Sequence, residues 1–140
     1  MSNNAKILYD TGFIVASLVR SDNYHQRTVE LLKHNSGQLV TTWPCLTEAI
    51  YLTANTGGVN AQEGLLRQIE TGFLNLIGQT VADALRCCVL MRQYADTPMD
   101  FADASLVVAA ERLDIVRIFT FDSHFHAYRI SGKAAFQVIQ

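Results

Sequence analysis

Lys6-Ile7-Leu8-Tyr9-Asp10 is an apolar run stopped by a carboxylate. It reads as a buried strand that ends on an acid. Residues 11–20 follow at once and predict a mainly apolar helix. Near the other end, Ile118-Phe119-Thr120-Phe121-Asp122 repeats the pattern of apolar run and closing acid. Strands that pass directly into helices point to a parallel sheet with helical crossovers. In such a sheet ligands bind beyond the carboxyl ends of the strands. Acids that end strands and acids that open helices then meet in one cleft.

Working outward, Ser21-Asp22-Asn23 breaks the first helix and offers N-cap candidates for a second over residues 24–34. Asn35-Ser36-Gly37 is a turn, and residues 38–42 read as the second strand. Pro44 marks the first position of a third helix over residues 44–55, and Gly57-Gly58 ends that unit. Leu65, Leu66, Ile69 and Phe73 recur at helical spacing, with Gly72 as the closing residue. Residues 73–77 predict the third strand. Val81, Leu85, Cys88 and Met91 mark the expected buried stripe of a helix over residues 81–94. Thr97-Pro98-Met99-Asp100 signals a further helix start, with Thr97 as cap, Pro98 at the first position and Asp100 at the third. That helix, residues 98–113, is apolar nearly all round and is expected to be deeply buried. Residues 117–121 and 136–139 predict the fourth and fifth strands. The expected fold class is α/β, with three α/β/α layers around a mainly parallel, roughly five-stranded sheet.

The 140 residues suit one domain spanning residues 1–140. Apolar residues at 49% and charged residues at 17% exclude a disordered chain. The apolar stretches at 13–19 and 104–110 fall short of the roughly 20 residues that cross a bilayer. Residues 1–5 lack a basic-then-apolar leader pattern. A cytoplasmic protein without a membrane partner is expected. Cys45, Cys87 and Cys88 have no CxxC spacing and read as buried free thiols rather than a zinc site. The net charge of −2 does not advertise a nucleic-acid binder. Setting aside Asp10, Glu48, Asp100, Asp103 and Asp122 leaves 8 acidic against 11 basic residues, an excess of +3. Such a surface permits contact with a phosphate backbone.

Those five acids carry the chemistry, and each has a plainer reading beside it. Asp10 and Asp122 suit helix capping or a turn as well as ligation. Asp100 suits a capping box. Glu48, among Leu46, Ala49, Ile50 and Leu52, lies either on an exposed stripe or is held for chemistry. Asp103 lies one turn beyond Asp100 within Phe101-Ala102-Asp103-Ala104-Ser105-Leu106 and reads as too deep for ordinary capping. Burying an unpaired carboxylate there costs on the order of several kcal/mol, which makes Asp103 the strongest functional candidate. Clustered carboxylates repel one another, and a hard divalent cation is the usual reason for them to coexist.

Asp10-Thr11 after the first strand, Thr47-Glu48-Ala49 in the third helix, Asp100-Phe101-Ala102-Asp103-Ala104-Ser105-Leu106-Val107 with Ala110-Glu111-Arg112, and Thr120-Phe121-Asp122-Ser123-His124-Phe125 together resemble the PIN-domain family. Within it the resemblance is to VapC-type toxins of toxin–antitoxin pairs. Asp22-Asn23-Tyr24-His25 is similar to an Asp-x-x-His pattern frequent at the second helix of such proteins. The resemblance covers essentially the whole chain and implies a strand order of 3-2-1-4-5. It implies an endoribonuclease dependent on Mg²⁺ or Mn²⁺, the toxin of a type II pair, with RNA as substrate, a cognate antitoxin as partner and a homodimeric state. Carried over, it implies catalytic acids at Asp10, Glu48, Asp103 and Asp122. Asp10 and Asp103 would hold metal, with Glu48 and Asp122 joining directly or through water. Asp100 would be auxiliary beside Asp103, and Thr11 and Thr120 would orient the site. Gly12 departs from the Asn or Ser that many relatives carry there, which removes one supporting hydrogen bond and no carboxylate.

Four rival readings are weaker. Asp10-Thr11-Gly12 equals the aspartic-protease signature, but that fold is all-β and this chain continues as a helix. A phospho-accepting receiver domain shares the strand–helix alternation but wants a lysine in its site, and none of Lys6, Lys33 or Lys133 fits. His124-x-His126 is a weak transition-metal signal, and neither these two nor His25 receives a role from the sequence. A catalytically silent PIN-like module that binds RNA or protein is the closest competitor.

Overall fold

The computed structural model describes residues 5–140; the leader reading over residues 1–4 lies outside the described residues. The opening run forms β1 (Lys6–Tyr9), whose Ile7, Leu8 and Tyr9 are fully buried. Asp10 caps α1 (Thr11–Leu18) through its own side chain. After a short turn come α2 (His25–His34) and β2 (Gln38–Thr42). Thr42 caps the long α3 (Trp43–Glu70), accepting from the Cys45 N–H. β3 (Leu74–Ile77), α4 (Val81–Gln93), α5 (Phe101–Leu113) and β4 (Arg117–Phe119) follow. A 3-10 turn at Ser123–His126, a small antiparallel hairpin of β5 (Arg129–Ile130) with β6 (Ala134–Ala135), and β7 (Gln137–Ile139) close the chain.

The sheet order is β3-β2-β1-β4-β7, and every pairing within it is parallel. Counting only the strands of this sheet, that is the expected 3-2-1-4-5. Register does the positioning. Tyr9 pairs with Phe119 and Leu8 with Val40. One residue past β1, Asp10 therefore stands level with Thr120 on one side, and with Thr42 on the other. Two apolar layers hold the sheet from opposite faces. One gathers Leu8, Ile118 and the buried side of α5; the other gathers Ile7, Tyr9, Phe119, α1 and Leu46 with Ala49 of α3. Helices on both faces make the three layers.

Several local expectations give way. The third and fourth helical segments run on as α3, kinked at Gly58, whose φ of 63° is open to glycine without strain. Ser21-Asp22-Asn23 does not cap α2: Tyr24 is the cap and makes no side-chain bond. Asp22 instead accepts from the Tyr24 N–H at 2.8 Å, and His25 Nδ1 lies 2.6 Å from the Ala16 carbonyl, pinning α2 to α1. The Asp-x-x-His pattern is thus a built turn. Thr97 and Pro98 do not open α5. Asp100 is its cap, because the Tyr128 hydroxyl binds the Pro98 carbonyl and holds that segment outside the helix. Cys45 and Cys87 are buried, but Cys88 is exposed.

The stripe of α4 is rotated from the expected one. Asp83, Cys87 and Leu90 are buried, whereas Val81 and Leu85 are 77% and 65% exposed. Both sets repeat at helical spacing, so periodicity alone could not choose. Asp83 decides it: its side chain closes a capping box with Thr80 and pairs with Arg112 of α5. Leu90→Ala should therefore cost about 2–5 kcal/mol, and Leu85→Ala about 0.5 kcal/mol or less, read from urea unfolding midpoints. Equal losses would contradict this orientation.

Candidate active site

Asp10 is the centre. Only 7% of it is exposed. Its Oδ1 accepts from the Thr11 N–H at 2.8 Å and its Oδ2 from the Thr120 hydroxyl at 2.6 Å. The same Thr120 oxygen accepts from the Asp122 N–H at 3.0 Å, so one buried hydroxyl ties the two acids together. Burial pushes the Asp10 carboxyl up to about 6, against the two hydrogen bonds, and the charges of Asp122 and Glu48 add to the rise.

Asp100 and Asp103 cap α5 reciprocally. Asp103 N–H donates to Asp100 Oδ1 at 2.8 Å, and Asp100 N–H to Asp103 Oδ2 at 3.2 Å. Asp103 is therefore a capping residue after all, using one of its oxygens. Its carboxyl rises to about 8, from burial first and then from Asp100, Asp10 and Asp122. Asp122 accepts from the His124 N–H at 2.9 Å, and the His124 ring nitrogen Nδ1 lies 3.0 Å from the same oxygen. Glu48 is half-buried in the second turn of α3 and acts on Asp10. The structure thus brings all five acids into one electrostatic neighbourhood, with Thr11 and Thr120 at its base.

Three participants escaped the sequence reading. The buried Tyr128 hydroxyl is held above its ordinary range by burial, then by Asp103, Asp122, Asp100 and Asp10. Nothing in its local sequence advertises that position. The Cys45 thiol, also raised to about 12 by burial and then by Asp10, lies beneath the cleft, where it stays protonated. Ser105 bonds the Thr42 hydroxyl at 2.6 Å and the Ala102 carbonyl at 2.6 Å, linking β2 to α5. Ser105 belongs to the quoted motif, where its apolar neighbours were the only hint of burial.

Among the described residues, no three His, Cys, Asp or Glu side chains stand in ready-made metal-holding geometry. The reason is visible in their partners. Asp10, Asp103 and Asp122 are each turned toward their own cap bonds. The donor set itself fits a hard cation: it is all oxygen, mutually repelling, and two members hold their protons unusually tightly. Among the described residues, no helix is long and apolar enough to cross a membrane.

No family model matches the chain. Ribonuclease VapC26 of Mycobacterium tuberculosis (strain ATCC 25618 / H37Rv) is 29% identical over 134 residues, 95% of this chain and 99% of that relative. The crystal structure of Mycobacterium tuberculosis VapC20, a sarcin-ricin loop cleaving toxin, matches with a TM-score of 0.81 at 18% identity, over 86% of this chain and 93% of the other. A toxin–antitoxin complex from Klebsiella pneumoniae matches with a TM-score of 0.62 at 17% identity, over 84% and 87%. The motifs, the long sequence match and the shared fold agree: this chain is similar to VapC-type ribonuclease toxins.

Proposed function

We propose that the chain is an endoribonuclease dependent on Mg²⁺ or Mn²⁺, acting in the cytoplasm as the toxin of a type II toxin–antitoxin pair. The observation that carries this reading is the mutual influence of Asp10, Glu48, Asp103 and Asp122 at the carboxyl edge of the sheet. The likeness to a ribonuclease over nearly the whole chain supports it. A neighbour solved as a toxin–antitoxin complex supports an antitoxin partner. A homodimer completes the reading.

When bound, the cation supplies an activated water and neutralises charge on the phosphodiester. Asp10 and Asp103 are the residues to hold it, with Glu48 and Asp122 completing the shell directly or through water. Thr120 and Thr11 fix the orientation of Asp10. Asp100 fixes Asp103 through the capping box. His124 steadies Asp122. No side chain is required as a nucleophile.

Asp103→Asn should abolish cation-dependent cleavage of RNA, and Thr120→Val should lower it about 10- to 100-fold by loosening Asp10. Both are read in a gel assay with added Mg²⁺. Retained cleavage by Asp103→Asn sinks the assignment of Asp103. Tight RNA binding without cleavage by the unmodified chain favours the silent-module alternative.

The raised carboxyls also give a stability signature. Asp10 and Asp103 bind protons more tightly when folded, to about 6 and about 8, than the ordinary carboxylate value of 3.8. Their contribution is full below about pH 4 and is lost as pH rises through those two values. With chelator present, Tm should fall between about pH 4 and pH 8. Added Mg²⁺ should restore Tm at the upper end, and Asp103→Asn should flatten the fall above about pH 6. A Tm that holds level across this range in chelator would refute the coupling.

A further inference from the structure

Glu48 and Asp100 share a second environment. Both line an open groove of about 730 Å³ whose apolar walls are Trp43, Tyr51 and Phe101. These rings are 55%, 69% and 46% exposed. Trp43 and Tyr51 are eight residues apart in α3, so they share one helix face with Thr47 between them. Phe101 opens α5 directly after Asp100. The rings therefore sit on rigid elements, Trp43 and Phe101 at the helix starts that also aim acids and Tyr51 two turns into α3.

We propose that this groove is a base-stacking subsite, which holds a nucleobase of single-stranded RNA beside the phosphate presented to the carboxylates. It rests on the ribonuclease reading and says where the substrate's base lies. Three features favour a base over other occupants. The groove is continuous with the acidic cleft through Glu48 and Asp100, so a strand that delivers a phosphate there can lay a neighbouring nucleotide across it. No Lys or Arg lines it among the described residues, so it is no track for the backbone. Its bulky apolar surface is aromatic, with no Leu, Ile, Val or Met, the chemistry that stacks planar rings rather than gripping aliphatic side chains. Its volume falls within the range usual for small-molecule pockets, roughly 300–1,000 Å³.

Trp43 is the sole tryptophan, so all tryptophan fluorescence comes from a wall of this groove, and the Tyr51 variants tie the signal to it because Tyr51 lines this groove and not the adjoining pocket by Gln79 and Cys87. The full chain carrying Asp103→Asn, which leaves the RNA intact, is titrated with a short single-stranded oligoribonucleotide and with the same strand made abasic at successive positions. Saturable quenching of Trp43 by the first, lost with one of the abasic strands, is expected. Phe101→Ala and Tyr51→Ala should each weaken binding roughly 5- to 100-fold, and Tyr51→Phe should not. In the otherwise unmodified chain, Phe101→Ala should raise KM for cleavage more than it lowers kcat. Absence of quenching, or equal quenching by every abasic strand, overturns the subsite while leaving cleavage to stand on its own assay. Quenching with no cleavage by the unmodified chain keeps the subsite and removes the nuclease reading. Quenching by a basic, leucine-rich synthetic peptide and not by RNA assigns the groove to a protein partner and overturns the proposal.

Discussion

A carboxylate buried at the end of the central strand is the constraint around which this molecule is arranged. Asp10 is desolvated, and two hydrogen bonds do not offset that cost, since its carboxyl still rises to about 6. A fold selected for stability alone would place an apolar residue there. The surroundings instead over-determine it. Its N–H donates to the Phe119 carbonyl, and its carbonyl accepts from Phe13 and Ile14. Asp10 is at once the last residue of a strand edge, the cap of α1 and a bridge to β4. It cannot shift without opening the β1–β4 junction, and this rigidity keeps an unfavourable charge in place.

Capping and charge gathering prove to be the same device. Asp10 caps α1, Asp100 and Asp103 cap α5 between them, and Asp122 caps the 3-10 turn. Each acid uses backbone N–H groups that would otherwise lack partners. The N-terminal ends of α1 and α5 carry partial positive charge, which moderates the repulsion among the carboxylates. Helix starts that converge at the carboxyl edge of a parallel sheet can therefore hold several acids with little cationic help. The only base hydrogen-bonded to the cluster among the described residues is His124, beside Asp122.

The sheet was legible because each strand is an apolar run set between turn signals, and parallel order follows from intervening helices. Wherever two helical faces were both apolar, as in α4, the pattern could not say which turned inward; the Asp83–Arg112 pair, which joins residues 29 apart, made that choice. Thr97-Pro98 carried a sound helix-start signal, overruled by the Tyr128 hydroxyl from 30 residues away. The acids could be singled out because carboxylates in apolar surroundings stand out. Tyr128 and Cys45 were missed because a tyrosine or cysteine in an apolar setting looks like core. Their closeness to the acids exists only after folding. Asp103 read as too deep to cap, yet it is half-buried and does cap, since a carboxylate has two oxygens to spend.

On the proposed function, protons, cations and RNA would be linked through one pool of negative charge. With its carboxyl raised to about 8, Asp103 keeps a proton near neutrality. Seating a divalent cation on the proposed ligands must expel that proton, so cation affinity climbs with pH. A polyanion approaching the bare cleft would meet repulsion from its ionised acids, while the residues outside the five carry a modest +3. Lowering the cleft's negative charge weakens that local repulsion. Under that reading cation and RNA would bind with positive coupling, and because coupling is reciprocal, whatever RNA gains from the cation the cation gains from RNA. The proposed stacking groove fits this scheme as the part of the surface whose rings would attract RNA by stacking, next to two of the acids.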